Sequence, residues 1–190
     1  MTDQDEQGYP EPPAVGDEAA TLVGSLERQR ATFAWKCADL DATGLRVRLG
    51  PSAVTLGGLL KHLAYMEDLN FSRDLAGHPL GAPWDDVDRD TVEDWEWRSA
   101  ADDGPDQLRA LWVGAVERSR DAVREAIARG GPDLRFTTPS GKEVSLRRLL
   151  VDMIEEYARH TGQADLLRES VDGRVGEDPP GRPYPYAVNP

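Results

Sequence analysis

Four separate stretches of this chain place apolar side chains three and four residues apart, with Gly- or Pro-bearing breaks between them. That period matches the α-helical turn, so each stretch predicts a helix with one face turned inward. The first covers 18–38, with Leu22, Leu26, Phe33 and Cys37 on one face and Arg28, Arg30 and Lys36 on others. The run Asp39-Leu-Asp-Ala-Thr-Gly44 ends it, with Gly44 expected to supply the turn. The second follows Thr55, whose hydroxyl can cap the next turn, and carries Leu56, Leu59, Leu60, Leu63 and Met66 to about residue 75. The third runs from Pro105 to about 129, with Leu108, Leu111, Trp112, Ala115, Ala122 and Ala126 in its stripe. Ser145 can cap the fourth and longest, 146–170, whose stripe is Leu146, Leu149, Leu150, Met153, Tyr157, Ala164 and Leu167.

The breaks are informative too. Gly77-His78-Pro79 closes the second helix and leaves His78 in a loop. The connection over 79–104 is long for a bundle, acidic, and carries Trp84, Trp95 and Trp97, with at most a short helix near 90–97. Such a loop can line a site, so its tryptophans could wall a substrate or form the loop's own small core. Near 134–144, two β-prone pieces flank Pro-Ser-Gly and predict an extended or hairpin piece. Residues 1–17 hold too little apolar content to fold alone and are expected to be disordered or extended. The Pro-rich tail 173–190 is expected to be extended. Helices with one apolar face each must bury those faces together, so residues 18–172 predict an all-α four-helix bundle.

Composition narrows the function classes. With 35 acids against 22 bases the net charge is -13, a field that repels phosphate backbones, so nucleic acid is not expected as a partner. No apolar run approaches the ~18 residues of a membrane span, and the acidic N-terminus lacks a signal peptide's basic start. No membrane association and a cytoplasmic location are therefore expected. The single cysteine, Cys37, falls on the first helix's apolar stripe and reads as packing. Only Lys36, Lys61 and Lys142 are lysines, and the Arg bias fits a GC-rich bacterial genome.

Two histidines interrupt the inward faces. His62 lies within the second helix's apolar face, and His160 lies on the fourth helix's stripe. Glu156, four residues before His160, projects from the same face one turn earlier. A carboxylate aimed into a core is costly unless something neutralises it. A divalent cation taking one nitrogen from each ring and one carboxylate oxygen would answer both problems and leave a position for water or substrate. Spacing alone leaves the alternative open: both histidines as hydrogen-bonded core residues, with Glu156 reaching solvent or an arginine. Gln163, Glu67 and Asp152 lie near enough in sequence to hydrogen-bond the rings, or to serve in packing and at the surface.

The segments Thr55-Leu-Gly-Gly-Leu-Leu-Lys-His-Leu-Ala-Tyr-Met-Glu67 and Glu155-Glu-Tyr-Ala-Arg-His-Thr-Gly-Gln-Ala-Asp-Leu-Leu-Arg-Glu169 resemble the DinB/YfiT-like superfamily of metalloenzymes, which includes mycothiol- and bacillithiol-dependent enzymes. The likeness covers about 20–172. It implies a four-helix bundle, often a homodimer, with a nickel- or zinc-type ion held by a histidine of the second helix and two residues of the fourth. The superfamily's fourth-helix pattern is His-x-x-x-His followed by Arg-Gly-Gln. Here Glu156 stands at the first histidine position, and Thr161-Gly162-Gln163 follows His160. The implied ligands are thus His62, Glu156 and His160, a set that zinc, nickel, manganese and ferrous iron all accept. The implied activity is transfer of a low-molecular-weight thiol, mycothiol or similar, to a small-molecule electrophile, the ion presenting the thiol as thiolate. A metal-dependent hydrolase, or a non-catalytic metal-stabilised binding or stress-response module, fits the same residues.

Overall fold

Side-chain caps set where the helices begin. In a computed structural model of the chain, which describes residues 3–4, 8–87 and 94–178, α1 spans Glu18–Cys37 and the Asp17 carboxylate accepts from the Ala20 N–H at 2.8 Å. A single turn, α2 (Ala42–Leu45), is capped likewise by Asp41. Thr55 accepts from the Gly58 N–H at 3.0 Å and opens α3, Leu56–Glu67, which runs on as a π-helical stretch over Asp68–Leu75. A short α4, Trp95–Ser99, precedes α5, Pro105–Gly130, which has its proline in the first turn. Ser145 accepts from the Arg148 N–H at 3.2 Å to start α6, Leu146–Asp172. Each such cap satisfies a backbone donor that the helix itself cannot, a contribution of ~1 kcal/mol.

The four long helices pair as α1 along α6 and α3 along α5, with α3 also touching α6. Their apolar faces meet in one core that includes Leu26, Phe33, Leu59, Leu63, Trp112, Leu150 and Met153. Between α5 and α6 lies the expected hairpin: β3 (Arg135–Thr137) pairs antiparallel with β4 (Glu143–Ser145), Phe136 opposite Val144. The expected all-α bundle is what forms. Among the described residues no helix is long and apolar enough to cross a membrane.

Three details go beyond the sequence reading. The left-handed residue after α1 is Asp39, φ 58°, while Gly44 is helical and packs on Leu40. Among the described residues of the N-terminal segment, β1 (Asp3–Gln4) pairs with β2 (Pro10–Glu11), and Tyr9 is fully buried. Gly24 allows this docking, since a Cβ there would sit 2.7 Å from the Pro12 Cα. Lastly, Arg30 and Lys36 are buried, although the α1 pattern placed them off its apolar face. Lys36 pairs with Asp165 at 2.7 Å and lies over the Trp35 ring. Of the Pro-rich tail, 179–190 lies outside the described residues, as does 88–93 of the long connection.

Arg30 is buried because a carboxylate waits for it. Its Nε and Nη2 donate to the two oxygens of Glu67 at 2.8 and 2.6 Å, and its Nη1 donates to Glu27 at 2.6 Å. Arg120 of α5 also donates to Glu27. The Tyr157 hydroxyl donates to Glu67 Oε1 at 2.6 Å and accepts from Trp112 Nε1 at 2.9 Å. Burial, then the neighbouring Glu67 charge, raises the Tyr157 pKa well above 10.0, so the hydroxyl stays a donor. Every long helix contributes to this network, and removing one partner strands the others in low dielectric. We therefore expect Glu67→Ala to lower stability by about 3–5 kcal/mol. Tyr157→Phe should cost about 1–3 kcal/mol, both losses being read from urea unfolding midpoints with unchanged slope.

Candidate metal centre

The register of α3 against α6 brings His62, Glu156 and His160 together. His62 Nε2 lies 3.0 Å from Glu156 Oε1, and His160 Nε2 lies 3.1 Å from the same oxygen. The two rings meet edge to face, centroids 4.9 Å apart. One ligand atom from each of the three residues lies within 4.8 Å of the other two.

The far side of each ring is also occupied. His160 Nδ1 is 2.8 Å from Gln163 Oε1, one turn along α6. His62 Nδ1 is 3.3 Å from Glu96 Oε1, on α4. Carboxylate and amide oxygens only accept, and so does the Glu156 oxygen facing each Nε2, so both nitrogens of each ring face acceptors while a neutral imidazole carries one hydrogen. With that hydrogen on Nδ1, each Nε2 would turn a lone pair toward the Glu156 carboxylate. Two lone pairs and an anion facing one another repel unless a positive charge sits among them. A cation does this directly, and the two-imidazole, one-carboxylate donor set suits a divalent metal. Ring hydrogen bonds on the side away from the ion are the usual way such ligands are oriented.

Without a metal, protons fill the same role. Burial works against a charged His62, but its hydrogen bonds to Glu156 and Glu96 outweigh that and raise its pKa above 6.5. Hydrogen bonds from His160 and His62 hold Glu156 well below the ordinary carboxylate range, against the opposing effect of burial. Both shifts report one preference, for positive charge beside Glu156.

Trp97 of α4 covers the pair, stacked on His62 at 4.5 Å and 25° and tilted toward His160 at 5.9 Å. The Glu156 side chain remains 26% exposed, so the cluster opens to solvent beside the carboxylate. Trp84, by contrast, is buried and donates to Asp68 at 2.8 Å, anchoring the long connection to the core. Of the tryptophans of that segment, Trp84 thus packs the connection and Trp97 lies over the histidine pair.

Other residues singled out in the sequence lie elsewhere. Glu67 binds Arg30 and Tyr157, not a histidine ring, because the buried guanidinium claims its carboxylate. Asp152 pairs with Arg148 on the exposed side of α6. His78 is exposed in its loop, and Cys37 is buried, with burial pushing its thiol up to about 12. The residue the sequence did not nominate is Glu96. The connection carrying it has no periodicity to indicate which side chains face α3.

The pKa directions carry a pH signature for metal-free protein. A raised His62 pKa adds stability that is complete below 6.5 and lost as pH rises through the folded value. A lowered Glu156 pKa adds stability present above 4.5 and lost as pH falls. With a chelator present, the stability difference between wild type and His62→Ala should therefore peak between pH 4.5 and 6.5 and shrink toward pH 9, measured by thermal unfolding.

No curated protein matches this chain. Among solved structures, a mycothiol-dependent maleylpyruvate isomerase matches with a TM-score of 0.50 and 20% sequence identity, over 74% of this chain. At that identity the likeness concerns the fold, and the matched region spans 59% of the isomerase chain. The family model for mycothiol-S-transferase matches residues 21–173, from the start of α1 to just past the end of α6. The four-helix frame and both histidine-bearing motifs lie inside that match, and the chain belongs to the mycothiol-S-transferase family, of DinB/YfiT-like fold.

Proposed function

We propose that this chain is a metal-dependent enzyme that transfers a low-molecular-weight thiol, most simply mycothiol, to an electrophilic small molecule. The observation that supports the reading is the convergence of two imidazole nitrogens and one carboxylate oxygen within 4.8 Å of one another. His62 and His160 would bind a divalent ion through Nε2, and Glu156 through Oε1. Zinc and nickel are favoured, with manganese and ferrous iron compatible with the same donors. A cation held there supplies a Lewis acid that lowers the pKa of a thiol at its open position, so that the thiol is a nucleophile at neutral pH.

The chain's own contribution is placement. Two neutral rings and one anionic ligand leave the site with residual positive charge, which favours an incoming thiolate. Gln163 and Glu96 fix the rings through Nδ1. Trp97 shields one side from water, while the exposed edge of Glu156 gives small molecules a way in. Three protein ligands and an open edge favour a catalytic site over a closed structural one. The mycothiol assignment rests on family membership, since a fold and a metal site do not by themselves choose a substrate.

The test is thiol-dependent turnover. Metal-loaded protein, mycothiol and a fluorogenic bimane electrophile should give conjugate that depends on both thiol and metal. His160→Ala should reduce the rate by about a hundredfold or more, the scale of several kcal/mol of lost Lewis-acid stabilisation. Electrophile loss without thiol would instead support hydrolysis, and no turnover with any thiol would support a binding module. Because both rings must be unprotonated to bind metal, apparent zinc affinity should rise with pH from 5.5 through about 8.

A further inference from the structure

His160 is oriented by a residue of its own helix, but His62 is not. Its Nδ1 partner, Glu96, lies 34 residues away on α4, outside the four-helix frame. Glu96 is buried, at 6% exposure, which is costly for a carboxylate without polar partners. We infer that Glu96 is the positioning residue that holds His62 with Nε2 turned toward Glu156, so that metal affinity depends on the docking of α4. This rests on the metal-binding reading above.

Stacking alone cannot do the work. The Trp97 ring at 4.5 Å and 25° fixes the plane of the His62 imidazole. A half-turn of the ring about its Cβ–Cγ bond keeps that plane but swaps nitrogen for carbon at both positions. A directional contact distinguishes the two orientations: Glu156 Oε1 supplies one at Nε2, and Glu96 Oε1 supplies the one at Nδ1, which stays available to the ring when Nε2 is taken by an ion.

The rest of α4 is built to hold that oxygen in place. Gly58 lies one turn before His62, and a Cβ there would come within 3.0 Å of the Trp97 ring, so the glycine admits the indole. Lys61, beside His62, pairs with Asp103 at 2.6 Å and lies 4.3 Å from the centre of the Trp95 ring. Trp95 in turn packs edge-on against the buried Trp84. The first residue of α4 and the segment that follows the helix are therefore both fastened to the core, and Glu96 is presented by a fixed element.

The full chain, stripped of metal, would be titrated with zinc against a chromophoric chelator. The proteins compared are wild type, Glu96→Met and Glu96→Gln. Methionine matches the length, suits a buried position and cannot accept the hydrogen bond, so Glu96→Met should fold, as its zinc-free melting curve would show. Its zinc affinity should fall about 10- to 100-fold. Glutamine keeps an acceptor oxygen and should restore most of the affinity. In the zinc-loaded Glu96→Gln protein, nitrogen NMR should still show the proton on His62 Nδ1. Wild-type affinity in Glu96→Met, or a Glu96→Gln protein as weak as Glu96→Met, would overturn the assignment and leave the metal site standing. Wild type that binds no zinc, nickel or manganese would overturn both.

Discussion

The structure depends on one carboxylate placed where water cannot reach it. Glu67, fully buried at the end of α3, is held by both arms of the Arg30 guanidinium and by the Tyr157 hydroxyl. Apolar faces alone would let helices slide by a turn at modest cost. A buried ion pair with a directed hydrogen bond makes such a slip strand charge in low dielectric, so it fixes register more than it adds stability. Glu67 shares α3 with His62, and Tyr157 directly follows Glu156 on α6. The network that sets the register thus also sets the distance between His62 of one helix and the Glu156–His160 pair of the other.

That register produces a cluster with an electrostatic preference. Two Nε2 atoms meet one oxygen of Glu156, while Gln163 and Glu96 occupy the opposite nitrogens. A core histidine kept only for packing needs partners, but two of them need not turn Nε2 to the same carboxylate oxygen. The same arrangement raises the His62 pKa and lowers that of Glu156. It also explains how glutamate can stand where the superfamily pattern has histidine. If an ion is held there, a carboxylate beside two imidazoles would keep three donors and add a negative charge that suits a divalent cation.

Much of this was legible in the sequence because helices write their burial at a fixed period. The stripes around Leu59 and Leu63, and around Leu150 and Met153, placed His62, Glu156 and His160 inward, and Thr55 and Ser145 marked the starts of the helices that carry them. What was hidden depends on pairing across the fold. Arg30 reads as a surface residue until Glu67 is known to face it, and Glu67 reads as a companion of His62 until Arg30 is known to claim it. Glu96 lies in a connection without periodicity, so only the docking of Trp97 against Gly58 reveals which way it points. Tyr9 is a similar case, buried through a β1–β2 pairing too short to leave a pattern.

The central claim is that the convergence of His62, Glu156 and His160 exists to hold a metal ion. Metal content, measured on untagged protein purified without added metal, tests it most directly, with wild type and His160→Ala side by side. Wild type should carry close to one divalent ion per chain, and the variant little. A metal-free wild type that stays folded and gains no thermal stability from added zinc, nickel or manganese would contradict it.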